Sequence, residues 1–284
     1  MAVGIVLNTL FVAAEAAAGT IAGSLALLAD AGHNAGDVLG LLLAWGASWL
    51  ARRPPSRRYT WGLRRATIYA ALANAALLLV ACGGIAWEAV HRLRSPAPVA
   101  GPTVVAIAAL GVVINTLTAL LFLRGQGDAN VRGAFLHMAA DAAVSLGVVV
   151  AGAAIALSGA AWIDPVTSLV VAAVIVAGTW GLLRESLELA LDAVPRGVES
   201  EALAAALGAL AGVGEVHDLH VWGASTSEVS LTAHLVVADT ADRDALLAAA
   251  DDLLRDRFGV AHATIQIEGR DAAAACRQRS AESL

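Results

Sequence analysis

Residues 25–50 read LALLADAGHNAGDVLGLLLAWGASWL. A helix of this length crosses a bilayer, which takes about 20 apolar residues, yet Asp30, His33, Asn34 and Asp37 interrupt its middle. In water such a pattern is ordinary. In hydrocarbon each of those side chains needs a partner or a role, so the solvent has to be decided first. Of the 284 residues, 58% are hydrophobic and 15% charged, and mean hydropathy is +0.72. That exceeds what a water-soluble domain needs to fill its core, and the stretch is read as a membrane span.

Working outward, five more apolar runs lie near 2–21, 66–90, 102–123, 133–158 and 163–183. Between them are turn-like breaks such as Arg52-Arg-Pro-Pro-Ser56, Ser95-Pro-Ala-Pro98 and Ser158-Gly159, none of which could cross hydrocarbon with its backbone unpaired. Small residues are dense within the runs, as in close helix packing in lipid. After Pro195 charges return at ordinary density. The pattern there predicts a helix at 199–211, strands at 215–222 and 228–237, a helix at 241–257 and a strand at 262–268. The second strand alternates Val229, Leu231, Ala233, Leu235 and Val237 against Ser230, Thr232 and His234, the period-two mark of a half-buried strand. The expected fold is a polytopic α-helical membrane protein of six transmembrane helices (1–190). An α+β (αββαβ, ferredoxin-like) cytosolic domain for regulation and dimerisation follows (191–270), then a disordered tail (271–284).

The net charge of −6 sums two different environments and says little; its distribution says more. All 18 basic residues are arginine, and Arg52, Arg53, Arg57, Arg58, Arg64 and Arg65 share the connection between runs two and three. The positive-inside bias puts that connection in the cytoplasm, hence both termini as well, and Arg124 and Arg132 follow the same sense. Cys82 falls within a span and Cys276 near the C-terminus, so no disulfide framework is expected. The first run lacks a basic leader and is read as a retained helix. A cell-membrane location with no nucleic-acid partner is expected.

The chemistry sits in two spans. His33 and Asp37 are four apart, as are His137 and Asp141, so each pair projects from one helix face a turn apart. Two such helices together offer two imidazole nitrogens and two carboxylate oxygens, a tetrahedral set of the kind Zn2+ accepts. Magnesium and calcium prefer six or more oxygens, whereas imidazole favours zinc, with cobalt and cadmium also acceptable. Two carboxylates plus a divalent cation sum to zero charge, which membrane depth tolerates. Without metal the same atoms take protons, so metal and protons compete. A single such pair reads equally well as interhelical hydrogen bonding, and it is the second copy that favours a metal site. Asp30, one turn before His33, is a supporting carboxylate or a helix-end residue. Glu15 and Asn8 line a cavity or bond to neighbouring helices. Asp164 before Pro165 is expected to cap its own helix. An intramembrane zinc protease would need His-Glu-x-x-His, and no His-Glu pair occurs in the chain; no enzyme is expected. A metal-gated channel or a metal-sensing membrane protein would use the same ligands, and is the alternative to a carrier.

At this point the residues resemble a known family, the cation diffusion facilitators. The resemblance rests on Ser24-Leu-Ala-Leu-Leu-Ala-Asp-Ala-Gly-His-Asn-Ala-Gly-Asp37, Arg132-Gly-Ala-Phe-Leu-His-Met-Ala-Ala-Asp141, Trp162-Ile-Asp-Pro165 and His217-Asp-Leu-His-Val-Trp222. It implies a homodimer that exports zinc or a similar divalent metal ion against inward protons, through His33, Asp37, His137 and Asp141. It also implies a cytosolic metal site at His217, His234 and Glu268, with His220 and His262 nearby, although Gln266 stands where some relatives have histidine. Trp222 is expected to anchor packing. The histidine-rich loop of many relatives is missing between spans four and five, and Arg65, Ala66 and Thr67 stand where relatives often carry a glutamate.

Overall fold

The computed structural model describes residues 2–123, 129–238, 241–274 and 276, with side chains from residue 9 onward except at 129 and 130. Arg124 and the side chain of Asn8 lie outside the described residues. Six long helices come first: α1 (Ala2–Ala22), α2 (Leu25–Ala51), α3 (Ala66–Arg94), α4 (Gly101–Leu121), α5 (Ala129–Ser158) and α6 (Ile163–Ala190). Among the described residues, α3, α4, α6 and Val131–Ser158 of α5 are long and apolar enough to cross a membrane, and α1 is apolar over Thr9–Ala22. At 27 residues α2 has the length, and Asp30, His33, Asn34 and Asp37 interrupt its apolar surface. Large apolar side chains face outward, with Trp87 77% and Leu157 90% exposed. Water would penalise such a surface and lipid solvates it. The chain is a polytopic helical membrane protein.

The chain divides into two compact units, Met1–Leu43 with Ala73–Leu182 and Ala44–Leu72 with Leu183–Leu284. In the first, α4 and α5 approach so closely that a Cβ on Gly101 would lie 2.7 Å from the backbone nitrogen of Ala156, which only glycine avoids. The turn into α2 needs Gly23 at φ +67°, and Ser24 then accepts from Leu27 N at 3.2 Å as an N-cap. The expectation for Asp164 is corrected here. It sits inside the first turn of α6, and its carboxylate accepts from Ser24 Oγ at 2.5 Å and from Leu25 N at 2.7 Å. It therefore caps α2 rather than its own helix. Fully buried, the carboxylate gains most where two free backbone N–H groups and the positive end of a dipole already converge.

The second unit carries α7 (Ser200–Gly208), β1 (Val213–Gly223), β2 (Val229–Val237), α8 (Arg243–Phe258), β3 (Val260–Glu268) and α9 (Arg270–Ala274). The sheet order is β1-β2-β3, with β1 and β2 antiparallel and β2 and β3 parallel. This is the αββαβ order the periodicity predicts. Leu203 and Leu207 of α7 and Leu246, Ala250 and Leu254 of α8 bury Leu231, Ala233 and Leu235 of β2. Asp242 caps α8 by accepting from Ala245 N at 3.1 Å, and Gly259 ends it in the left-handed conformation. Two expectations need correction. Residues 271–274, expected within a disordered tail, belong to α9, because Ala273 finds a buried seat (2% exposed) and α9 packs on β2 and β3. The polar face of β2 is not open either, since Ser230 and His234 are 1% and 7% exposed.

Candidate metal centres

The first centre is built by α2 and α5, whose four-residue spacing puts each histidine one turn from its aspartate. His33 Nε2 lies 3.2 Å from Asp141 Oδ1 and 3.8 Å from Asp37 Oδ2; His137 Nε2 lies 3.2 Å from Asp37 Oδ2 and 3.7 Å from Asp141 Oδ2. A tetrahedron around an ion with bonds of about 2.0–2.2 Å has edges of about 3.4 Å; the four imidazole–carboxylate separations are close to that, although Asp37 does not come within 4.8 Å of all three of the other groups. His33, His137 and Asp141 each offer an atom within 4.8 Å of the others, and the two imidazoles meet edge to face with centroids 5.9 Å apart. Asp141 is buried (3% of its side chain exposed) while His137 is 45% exposed, so the centre opens to its surroundings on the His137 side. His33 Nδ1 and Asp141 Oδ2 are buried without a hydrogen bond among the described residues, a cost that a bound cation removes at the carboxylate.

Behind it, Asp30 is fully buried and accepts from Ser145 Oγ of α5 at 2.8 Å. It lies in the second turn of α2, which rules out the helix-end role and leaves the supporting one, tying α2 to α5 one turn from His33. Glu15 of α1, also fully buried, accepts from Asn34 Nδ2 at 3.4 Å, so it bonds to the neighbouring helix. These bonds orient the ligand-bearing faces in the way outer partners hold metal ligands.

The second centre lies on the sheet. His217 and His234 are cross-strand partners, with ring centroids 5.1 Å apart. Glu268 at the end of β3 places Oε2 3.4 Å from His217 Nε2 and Oε1 3.2 Å from His234 Nδ1. Cys276, beyond α9, brings Sγ to 3.7 Å from His234 Nδ1, and the four groups offer atoms all within 4.8 Å of one another. Both nitrogens of His217 and Glu268 Oε2 are buried without hydrogen bonds among the described residues. An N2OS donor set of this size fits zinc. Cys276 is the ligand candidate the sequence reading missed. Its only signal there was being the sole cysteine outside the spans, and strand periodicity cannot register a residue carried in by a folded-back tail.

Gln266 is not a member; its amide donates to Glu268 Oε1 at 2.6 Å and steadies the carboxylate. Two nearby candidates fall outside. His220 is turned out and pairs with Asp218 at 3.1 Å, and His262 sits edge-on against Trp61 with centroids 4.7 Å apart. A bulge between His217 and His220 explains the first, with Asp218 at φ +50° re-aiming the side chains that follow. Asp218 Oδ2 also stands 3.5 Å from His234 Nε2, the ring edge away from Glu268.

Comparison with known proteins agrees with this architecture. A profile described as the cation efflux transmembrane domain matches residues 1–189, and one described as the cytoplasmic domain of cation efflux proteins matches residues 195–270. The zinc transporter ZitB of Escherichia coli (strain K12) is 38% identical over 261 residues, covering 91% of this chain and 83% of that protein. The metal cation efflux system protein CzcD of Cupriavidus metallidurans is 35% identical over 269 residues, covering 94% and 85%. A Bacillus subtilis protein named as a cadmium, cobalt and zinc/H(+)-K(+) antiporter is 30% identical over 275 residues, covering 94% and 87%. Two matched domains spanning nearly the whole chain, on a helical membrane fold followed by an αββαβ domain, place this chain in the cation diffusion facilitator family, whose members are cation efflux transporters and not enzymes.

Proposed function

We propose that the protein exports Zn2+, with cobalt and cadmium as further passengers, by exposing the α2–α5 centre alternately to the two sides of a cell membrane that α1 to α6 cross six times. The observation that carries this is the closed ring of four contacts, 3.2–3.8 Å, between two imidazoles and two carboxylates on facing helices. Two imidazoles select against magnesium and calcium, and two carboxylates neutralise the ion so that the loaded centre can pass through a low-dielectric layer. Protons are the counter-ion: when the cation leaves, the same nitrogens and oxygens take protons, so one site carries both in alternation. The name of the Bacillus subtilis relative pairs metals with protons in the same sense. The protein works as a homodimer with both termini in the cytoplasm, and the sheet centre at His217, His234, Glu268 and Cys276 holds a regulatory ion. That ion would tether β1, β2, β3 and the segment after α9 to one another.

Proteoliposome flux tests the reading. A carrier saturates with zinc and follows an imposed pH gradient, a metal-gated channel follows voltage, and a sensor moves nothing. Saturable zinc flux that ignores the pH gradient would remove the proton exchange while leaving the metal site standing.

A further inference from the structure

The connection from α2 to α3, residues 52–65, holds six arginines that fall into two groups. Arg64 donates to Glu228 Oε2 at 2.7 Å and Arg65 pairs with Asp192, which ties the connection into its own unit. Arg52, Arg53, Arg57 and Arg58 are all exposed, and among the described residues none has a carboxylate within ion-pair distance. Arg53 instead lies over the Trp49 ring at 4.0 Å, and Arg58 faces Tyr59 at 5.9 Å. Pro54 and Pro55 restrict the backbone between the two arginine pairs, so the four charges are presented with little freedom to lose. Beside them is an apolar cleft of 470 Å³ walled by Tyr59, Trp61, Leu63, Tyr69, Trp222 and Ala224.

Exposed guanidinium groups with no carboxylate partner among the described residues, interfacial aromatic rings and an apolar cleft at the ends of two hydrophobic helices match the parts of an anionic phospholipid. Positive charge at the membrane surface attracts an anionic headgroup, Trp and Tyr sit at headgroup level, and the cleft can receive acyl carbon. We propose that this connection is a binding site for an anionic phospholipid of the cytoplasmic leaflet, with Arg52, Arg53, Arg57 and Arg58 holding the headgroup. The inference rests on α2 and α3 entering the bilayer on either side of the connection.

The test incubates full-length protein in mild detergent with equal amounts of phosphatidylglycerol and phosphatidylcholine and reads retained lipid by native mass spectrometry. Phosphatidylglycerol should be retained roughly tenfold over phosphatidylcholine. The preference should vanish in the R52Q/R53Q/R57Q/R58Q variant and survive in the matching fourfold lysine variant, since charge carries it. Equal retention of both lipids by the wild type, an undiminished preference in the glutamine variant, or its loss in the lysine variant would overturn the assignment. Displacement by millimolar inorganic phosphate would do the same, showing that the arginines hold any free anion. Bound metal and zinc flux measured on the same preparations test the transport reading separately, so flux without lipid preference sinks this inference alone.

Discussion

The two candidate metal centres of this protein use similar side chains and are built in opposite ways. The intramembrane one takes a histidine and an aspartate from each of two long helices, at a fixed four-residue interval, and its depth runs from buried Asp141 to open His137. The sheet one takes single residues from three strands and from the segment after α9, and His217, His234 and Glu268 are 5–7% exposed. A helix face has rigid internal spacing, so half of the first centre exists before the helices meet. No two ligands of the second are preassembled. One candidate centre is half-open and carries two carboxylates, as the proposed loading and release of a divalent cation requires. The other is enclosed, includes a thiol and suits an ion that stays.

That contrast can be broken most forcefully at Asp37. Asp37→Ala removes a ligand and half the compensating charge, and should lower zinc flux by at least about a hundredfold while the purified dimer stays folded by thermal melting. Substantial residual flux would count against the four-ligand centre. Next comes the sheet centre. Cys276→Ser and His234→Ala, made in the Asp37→Ala background to silence the first centre, should each lower metal content by about one ion per chain, measured by mass spectrometry of the intact protein. Unchanged content would return these residues to a packing role. His33→Asp sharpens the chemistry rather than abolishing it. Exchanging imidazole for oxygen should shift competition flux toward manganese, and identical selectivity would mean that geometry elsewhere chooses the ion. Acidification should weaken zinc binding at the intramembrane centre, because protons and metal compete for the same atoms. The smallest effect is expected from Asp164→Asn. It keeps the shape but weakens charge-assisted bonds to Ser24 and Leu25, for a stability loss of about 1–2 kcal/mol seen as a lower melting temperature with flux still measurable.

Much of this was legible in the sequence, for reasons that differ by residue. The αββαβ order follows from a switch of period, and the helix expected at 241–257 falls within two residues of α8 at both ends, where Asp242 starts it and Gly259 stops it. The His-x-x-x-Asp repeat was readable because helical geometry is local. Asp164 was read as a capping acid but assigned to the wrong helix, since local rules cannot tell which N-terminus a carboxylate will reach. Cys276 was missed because nothing local to it signals a ligand.

By itself, then, the amino-acid order determined the solvent, the elements and which side chains share a helix face, all of which depend on hydropathy and on periods of two and 3.6 residues. Tertiary structure alone decided that α2 lies against α5 so that four donors close a ring, that Asp164 caps α2 from another helix, and that α9 folds back to bring Cys276 to His234. Those contacts join residues 42 to 140 positions apart. Their pairing is set by which buried surfaces fill one another, a property of the assembled chain that no short window of residues contains.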